Sequence, residues 1–215
     1  MIHLAEPEAR ALEGFCRRQL RWDARLGARV VVTERALGVF TAPPLGVLAF
    51  VAVPITGVAE PSDMTVQLAG LADALEGWED GVSLSDLPRS IVPAGPSPSL
   101  AHLPPHEGWQ VPMHAVSGDL VPAVEAATAE FAARSVGMTP AQREEIAEQI
   151  WQRPAFGGLP LRSLHAARQL GMLTGDSARV AAATCGQWKR LSTVRGQVFS
   201  YATGPAARLA LRVVR

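Results

Sequence analysis

The first quarter of the chain contains one amphipathic segment followed by three short apolar runs. Between residues 7 and 22, Leu12, Phe15 and Leu20 share or border one helical face. In this segment the acidic residues come early and the arginines late, as the helix dipole favours. The runs ARVVVTE, LGVFTA and LGVLAFVAVPI begin at residues 28, 37 and 45 and are rich in valine and phenylalanine, as buried strands are. Their connections are too short for crossover helices, so an antiparallel meander is predicted.

Residues 36–59 form a stretch of 24 residues without a charged side chain, which is long enough to span a bilayer. Pro43, Pro44 and Pro54 interrupt this stretch and remove backbone donors that lipid could not replace. We therefore predict buried sheet here and no membrane partner, with a membrane-associated segment as the alternative.

The next apolar pattern, in residues 63–77, has helical spacing. Met64, Leu68 and Leu71 recur every three to four residues, Asp63 could cap the start of the helix, and Gly77 follows its end. This helix and the first one are predicted to cover the two faces of the meander.

A proline-rich stretch separates the two ends of the chain. Seven prolines fall between residues 88 and 112, a composition that favours an extended connector over a helix or a central strand. Interspersed apolar residues such as Leu100, Leu103 and Trp109 indicate that the connector lies on a surface. The alternative is that this segment is a peptide ligand for a domain that binds proline-rich sequences.

Helical patterns dominate the region after the connector. Helices are predicted in residues 118–137, 139–153, 159–173 and 177–191, and the second begins with Thr139 as N-cap and Pro140 at its first position. Residues 193–203 and 208–213 alternate apolar and polar side chains, which predicts a β-hairpin. Helices followed by a hairpin resemble the element order of a winged helix-turn-helix, and this resemblance is one of order alone.

These patterns together predict an α+β fold in three parts. Residues 1–76 would form a lobe with the meander covered by helices, and residues 77–112 an ordered proline-rich connector. Residues 113–215 would form a helical lobe that ends in a basic β-hairpin.

The charges are unevenly distributed along the chain. Residues 1–138 hold nine arginines against sixteen acidic residues, a net charge of −7, whereas residues 139–215 carry +7. The interpretation that requires no partner is that the two lobes attract each other or that each has a solvated face. The functional interpretation is that the basic end binds an acidic partner, nucleic acid among them.

If the basic end binds nucleic acid, we expect cations on the third helix of this region and on the hairpin to contact it. Aromatic side chains of the hairpin would then stack on unpaired bases. The candidate contacts are Arg162, Arg168, Lys189, Arg190, Arg195, Phe199, Tyr201, Arg208 and Arg212. The alternative is that the two aromatic residues pack beneath a helix while the cations lie at the rim.

Catalytic chemistry finds little support in the sequence. His102, His106 and His114 lie close together and are the weak candidates for a metal site, but prolines between the first two exclude the helix that would align them. Neither a known catalytic motif nor a cofactor-binding motif is present. Two distant cysteines without metal-type spacing fit a reducing, cytoplasmic setting.

We therefore expect a non-catalytic binding or regulatory protein whose basic end contacts nucleic acid or another acidic partner. The alternative is an assembly protein that forms a homo-oligomer, in which the acidic middle of one chain meets the basic end of another. A small-molecule enzyme or a loop metal site comes third. No cofactor is predicted.

Overall fold

The computed structural model describes residues 1–77, 79, 81–90 and 99–202. Five α-helices lie within these residues: α1 Glu6–Leu20, α2 Leu68–Glu76, α3 Ser117–Arg134, α4 Pro140–Trp151 and α5 Leu161–Gln169. The strands are β1 Gly27–Val32, β2 Ala36–Thr41, β3 Leu48–Pro54, β4 Ser62–Gln67, β5 Gln110–Val116, β6 Arg179–Cys185, β7 Trp188–Thr193 and β8 Gly196–Tyr201.

All eight strands belong to one sheet, in the order β4-β1-β2-β3-β8-β7-β6-β5. Every pair of neighbours is antiparallel. The two halves of the chain meet where β3 pairs with β8, through Leu48–Phe199, Ala49–Val198 and Phe50–Gln197. The sheet is therefore continuous across both halves of the chain.

The two halves have equivalent strand orders when the strands are counted outward from this seam. In each half a helix follows the outermost strand, α2 after β4 and α3 after β5. Another helix precedes the adjacent strand, α1 before β1 and α5 before β6. The fold thus consists of two four-stranded units with equivalent strand order on either side of the β3–β8 pairing.

The helices lie against one face of the sheet and create the main core. Alternate strand residues such as Val30, Val39, Leu191 and Val198 point into this core, and Phe15 of α1 packs among them. We call this face the helix face and the opposite one the open face. Leu100 of the proline-rich segment packs in a smaller apolar cluster on the open face.

Several predicted elements are confirmed. The first helix and the meander of β1, β2 and β3 occur close to their predicted positions. The α4 helix begins with the expected N-cap, where Thr139 and Gln142 form a reciprocal capping box. The uncharged stretch of residues 36–59 contributes strands β2 and β3, and none of the helices in the described residues could cross a membrane.

The predicted fold class is wrong. A helical lobe ending in a hairpin, with winged-helix-like order, would leave the meander as a separate sheet. Instead, the C-terminal half supplies four strands of the shared sheet, and β8 pairs with β3 of the N-terminal half as well as with β7. The predicted hairpin partner at residues 208–213 lies outside the described residues.

Two segments predicted as helices form strands because tertiary pairing overrides local helix propensity. The alanine-rich residues 177–191 contain β6 and the first four residues of β7, and the turn between these strands lies at Gly186, whose φ of 57° favours glycine. Val180 and Ala182 alternate into the core, a two-residue period that the abundant alanine conceals. Residues 62–67 form β4, so the helix in this region begins only at Leu68, and Asp63 forms an ion pair with Arg29 instead of capping it.

The division into residues 1–76, 77–112 and 113–215 stays a prediction. Strands from residues before 77 and after 112 share one sheet, while residues 99–109 pass over its open face.

Replacing Leu191 in β7 tests the assignment of this segment to the sheet core. The side chain is fully buried, so Leu191→Ala should lower the free energy of unfolding by about 2–5 kcal/mol through lost apolar burial and cavity formation. Urea denaturation measures this change. Val194→Ala, at a largely exposed position in the next turn, is the control and should have little effect. A helical segment with Leu191 on its surface would instead give two equally stable variants.

Candidate functional site

A partly exposed group of aromatic residues and one arginine lies on the open face of β7 and β8. It consists of Trp109, Trp188, Arg190, Phe199 and Tyr201, which we call the aromatic surface. The β7–β8 register pairs Trp188 with Tyr201 and Arg190 with Phe199, so that alternation places all four side chains on one face. Trp109 reaches the same place from the proline-rich segment, where its indole N–H donates to the carbonyl of Pro105.

Ring contacts hold the aromatic surface together. The Trp188 and Tyr201 rings meet edge to face with centroids 5.1 Å apart, and Trp109 lies 5.8 Å from Phe199. Phe199 is almost fully buried and joins Phe40 in the smaller cluster. The remaining three rings are half-buried.

Arg190 is the charged member of the aromatic surface. Its guanidinium carbon lies 4.4 Å from the centroid of the Trp109 ring, a cation–π contact. The Nε atom is buried without a hydrogen-bond partner, and burial lowers the pKa of this side chain. Arginine remains protonated at neutral pH all the same. The guanidinium has no carboxylate partner among the described residues.

Arg162 and Arg168 lie on the other side of the sheet, on α5. Arg162 donates to Glu148 at 2.6 Å and retains 18% side-chain exposure, while Arg168 donates to Glu125 at 3.2 Å. Each of these cations is therefore neutralised locally by a carboxylate of α4 or α3.

The other predicted contacts are scattered. Lys189 points to the helix face, where its ammonium group donates to the Gly158 carbonyl. Arg195 is exposed in the β7–β8 turn. Arg208 and Arg212 lie outside the described residues. The structure thus brings Arg190, Phe199 and Tyr201 together and separates them from Arg162 and Arg168, and their role as nucleic-acid contacts stays a prediction.

The histidines proposed for a metal site do not gather around a common point. His102 approaches Ser99, with its Nδ1 3.5 Å from the hydroxyl oxygen, and His114 lies on β5. In the part of the chain that the structure describes, no group of three histidine, cysteine or acidic residues could hold a metal ion. The metal hypothesis therefore gains no geometric support.

The open outer edge of β5 is a feature that the sequence interpretation missed. The Ser117 N–H donates to Ala178 on the β6 side at 2.8 Å, so alternation directs the backbone groups of His114 and Val116 outward. Nothing in the described residues pairs with this side. Pro112 in the sequence could have indicated an edge strand here, because a proline within a strand is confined to edges and bulges.

The opposite edge of the sheet is covered. The Gln67 N–H of β4 donates to Pro88 at 2.8 Å, and the Ser90 N–H donates to Thr65 at 3.2 Å. The two edges therefore differ, although the strand order is symmetric.

A charge network on the helix side connects α3 with the segment before α5. Glu130 accepts from Arg134 at 2.8 Å and from Arg153 at 2.7 Å. These hydrogen bonds, first from Arg153 and then from Arg134, lower the pKa of Glu130 from 4.5 to about 2.

Family models match the two halves separately. Residues 1–94 match a family described as "Domain of unknown function (DUF8010)", and residues 104–205 match "Domain of unknown function (DUF8185)". No curated protein matches the chain in sequence. The two matched ranges coincide with the two four-stranded units of the sheet.

Solved structures with a similar fold are subunits of DNA polymerases. Pol III beta of Caulobacter crescentus is 14% identical with a TM-score of 0.57, over 97% of this chain and 67% of that one. The DNA polymerase III beta subunit of Thermotoga maritima is 10% identical with a TM-score of 0.55, over 99% and 68%. The DNA polymerase sliding clamp of Pseudomonas aeruginosa is 13% identical with a TM-score of 0.50, over 96% and 66%.

The chain therefore spans about two thirds of the length of these structures. Identities this low establish a shared fold and nothing finer. The fold is that of the DNA polymerase sliding clamps, an antiparallel sheet with helices on one face, and this finding replaces the predicted winged-helix-like arrangement.

The Glu130 network predicts a specific pH dependence. The folded-state pKa lies below the ordinary value, so the network stabilises the protein above pH 4.5 and loses this effect as the pH falls toward 2. Glu130→Gln should therefore be less stable than the parent protein near pH 7, and the difference should shrink to nothing near pH 2. Urea denaturation across this pH range measures it.

Glu144→Gln is the control for this series, because Glu144 is exposed and makes no ion pair within the described residues. A constant difference between Glu130→Gln and the parent at all pH values would contradict the charge mechanism.

Proposed function

We propose that the protein is a non-catalytic assembly protein of the sliding-clamp kind, whose copies associate through the open edge of β5 and whose nucleic-acid partner is DNA. The observation that carries this proposal is the continuous sheet, of which the described residues cover one edge and leave the other uncovered. Exposed edges are ready-made templates for pairing with another chain, and proteins that keep them exposed need a partner or a blocking device.

The chemistry of β5 supports pairing with a second copy. The outward backbone groups of His114 form a donor and an acceptor on the same edge, so two copies in antiparallel orientation satisfy each other across a two-fold axis. Val111 and Met113 on the same strand are large apolar side chains with 46% and 45% exposure, which a partner would cover.

The covered β4 edge favours this two-fold arrangement. Head-to-tail pairing of β4 with β5 would first displace the backbone hydrogen bond that the Pro88 carbonyl accepts and the one that the Ser90 N–H donates. Pairing of β5 with β5 displaces none within the described residues. Opposite charges between the acidic middle and the basic end of two chains would add to the association, and they would make it sensitive to salt.

DNA is proposed as a partner because proteins with the same fold are named as DNA polymerase sliding clamps. The aromatic surface is the proposed contact. Arg190 has no carboxylate partner in the described residues, whereas Glu148 and Glu125 neutralise Arg162 and Arg168. Trp188 and Tyr201 offer ring surfaces on which unpaired bases can stack.

Removing the outward N–H of His114 tests the assembly proposal. Proline is tolerated at an edge where its nitrogen faces away from the sheet, so His114→Pro should fold and yet lose two hydrogen bonds per dimer. The expected cost is about 1–3 kcal/mol, or roughly a 5- to 150-fold higher dimer Kd. Sedimentation velocity over a wide protein concentration range measures it.

His114→Thr is the matched control, since it changes the side chain and keeps the N–H. It should dimerise like the parent protein. A monomeric parent at high concentration and low salt would sink the assembly proposal, and equal dimerisation by His114→Pro would exclude the β5 edge.

A pair of variants on opposite faces tests the DNA proposal. Arg190→Ala should weaken binding to labelled single-stranded and duplex oligonucleotides and lower the salt dependence by about one counterion. Arg162→Ala/Arg168→Ala should bind like the parent protein, because those cations are already neutralised. Fluorescence anisotropy from low to physiological salt measures both.

If Arg162→Ala/Arg168→Ala weakened DNA binding and Arg190→Ala did not, the DNA contact would lie on the helix face. Absence of salt-dependent binding in the parent protein would leave assembly without DNA as the function. Arg143→Ala, which removes one exposed arginine of α4, controls for the loss of charge alone.

A further inference from the structure

A cavity of about 220 Å³ lies beside the end of β8. Its walls are the start of β7, the end of β8 and the segment between α4 and α5, residues 152–160. Among the described residues, none from the N-terminal unit lines this cavity, and none from β5 does. The cavity is therefore built by the C-terminal unit alone and is separate from the open β5 edge.

Two polar side chains reach the cavity from neighbouring strands. Lys189 of β7 is the register partner of Ser200 of β8. Both residues alternate in step with the core residues Leu191 and Val198, so they lie on the helix face. Directly opposite residues on antiparallel strands have Cβ atoms about 5 Å apart, so one small ligand can contact both side chains.

The hydroxyl group of Ser200 is buried without a partner. The residue is 3% exposed, and its Oγ atom makes no hydrogen bond within the described residues. A buried hydroxyl without a partner costs free energy, so such groups are usually bonded to protein atoms, water or a ligand. Because Ser200 lines the cavity, a ligand oxygen there can accept its hydrogen bond.

Lys189 supplies the positive charge of the cavity. Its ammonium group donates to the Gly158 carbonyl, and since an ammonium carries three N–H groups, two remain for a ligand. No carboxylate lies within ion-pair distance of it in the part of the chain that the structure describes. A cation without an acidic partner favours an anionic ligand.

The surroundings of the cavity add to its positive potential. Pro160, the N-cap of α5, lines the cavity, so the positive end of the helix dipole lies beside it. None of the described lining residues is acidic. Glu148 accepts from Gln152 of the cavity wall at 2.6 Å, but it is already paired with Arg162 at 2.6 Å. The cavity therefore favours a ligand with negative charge.

We propose that this cavity, which we call the phosphate cavity, binds the phosphate group of a small phosphorylated molecule. Lys189, Ser200 and the start of α5 surround it from three elements, and a tetrahedral phosphate offers acceptor oxygens in three directions at once. A phosphate monoester carries a charge of about −1.5 to −2 at pH 7, which the ammonium group and the helix end can stabilise together.

The size of the cavity limits the rest of the ligand. Its volume of about 220 Å³ is below the roughly 300 Å³ at which sites for drug-sized ligands begin. The ligand therefore carries only a few atoms beyond its phosphate, and Pro154 and Pro160 in the wall offer them apolar contacts. The site requires neither self-association nor DNA binding.

Isothermal titration calorimetry of the full chain with three probes tests this site. Glycerol 3-phosphate should bind saturably, because its phosphate meets Lys189 and Ser200 while its carbon atoms contact the prolines. Inorganic phosphate should bind more weakly, and acetate should not bind. Absence of glycerol 3-phosphate binding overturns the inference. Acetate binding of equal strength would overturn the assignment to phosphate, and tighter binding of inorganic phosphate would overturn the assignment to an organic ligand.

Single substitutions locate the binding. Lys189→Gln removes the charge but keeps a donor for Gly158, and it should weaken glycerol 3-phosphate binding about 10- to 100-fold. Ser200→Ala should weaken binding by a similar factor without lowering thermal stability, because it removes a buried hydroxyl that has no partner. The matched controls are Arg143→Gln, at an exposed position of α4, and Ser192→Ala, on the other face of β7, and both should bind like the parent protein.

Undiminished binding by both cavity variants would place the phosphate elsewhere and overturn the inference. A loss of stability in Ser200→Ala with unchanged affinity would make the hydroxyl a structural group, which contradicts its assignment to the ligand.

Oligonucleotides separate the phosphate cavity from the proposed DNA contact. The affinity for glycerol 3-phosphate should be the same with and without an excess of single-stranded oligonucleotide that has a 5′-hydroxyl end. A weaker affinity in the presence of the oligonucleotide would make the cavity part of a nucleic-acid surface, and the small-molecule inference would be wrong.

Discussion

The antiparallel pairing of β3 with β8 is the contact on which the rest of the structure depends. It consists of three residue pairs, yet it joins two four-stranded units that would otherwise each expose a bare strand. Val51 and Val198 bury the helix side of this seam, and Phe40, Phe50 and Phe199 gather on its open side. The same pairing fixes β8, whose last residues form one wall of the phosphate cavity.

The candidate surfaces arise where the symmetry of the two halves is broken. The terminal strands occupy equivalent positions, but the hydrogen bonds of residues 88–90 cover β4 and nothing described covers β5. The pairing of charged side chains also differs between the two halves. Arg162 near the β2–β3 turn has Glu148 as a partner, whereas Arg18 near the β7–β8 turn faces a second arginine. The two units with equivalent strand order thus form the framework, and the candidate binding surfaces lie where the two units differ.

The sequence alone predicted the features that depend on local interactions. Periodic apolar positions identified α1, and the N-cap Thr139 followed by Pro140 identified the start of α4, because neighbouring residues make these contacts. Short connections determined that β1, β2 and β3 are antiparallel neighbours. Alternation along residues 193–203 also placed Phe199 and Tyr201 on one face of a strand, although the sequence could not show which face of the sheet this is. Arg190 was a candidate for its charge alone, because its segment was predicted as a helix.

The pairing between distant segments was decided by the tertiary structure. Residues 177–191 have the composition of a helix, but β6 and β7 form there because β5 and β8 offer backbone partners and the core accepts Val180, Ala182 and Leu191. The same long-range pairing splits the predicted cations between two faces and exposes the edge of β5. The sequence by itself determined the elements that local contacts specify, namely α1, the start of α4 and the meander of β1, β2 and β3. Only the tertiary structure decided which strands from distant segments are neighbours, β3 and β8 above all, because backbone hydrogen bonds between such strands carry no signature in the side-chain sequence.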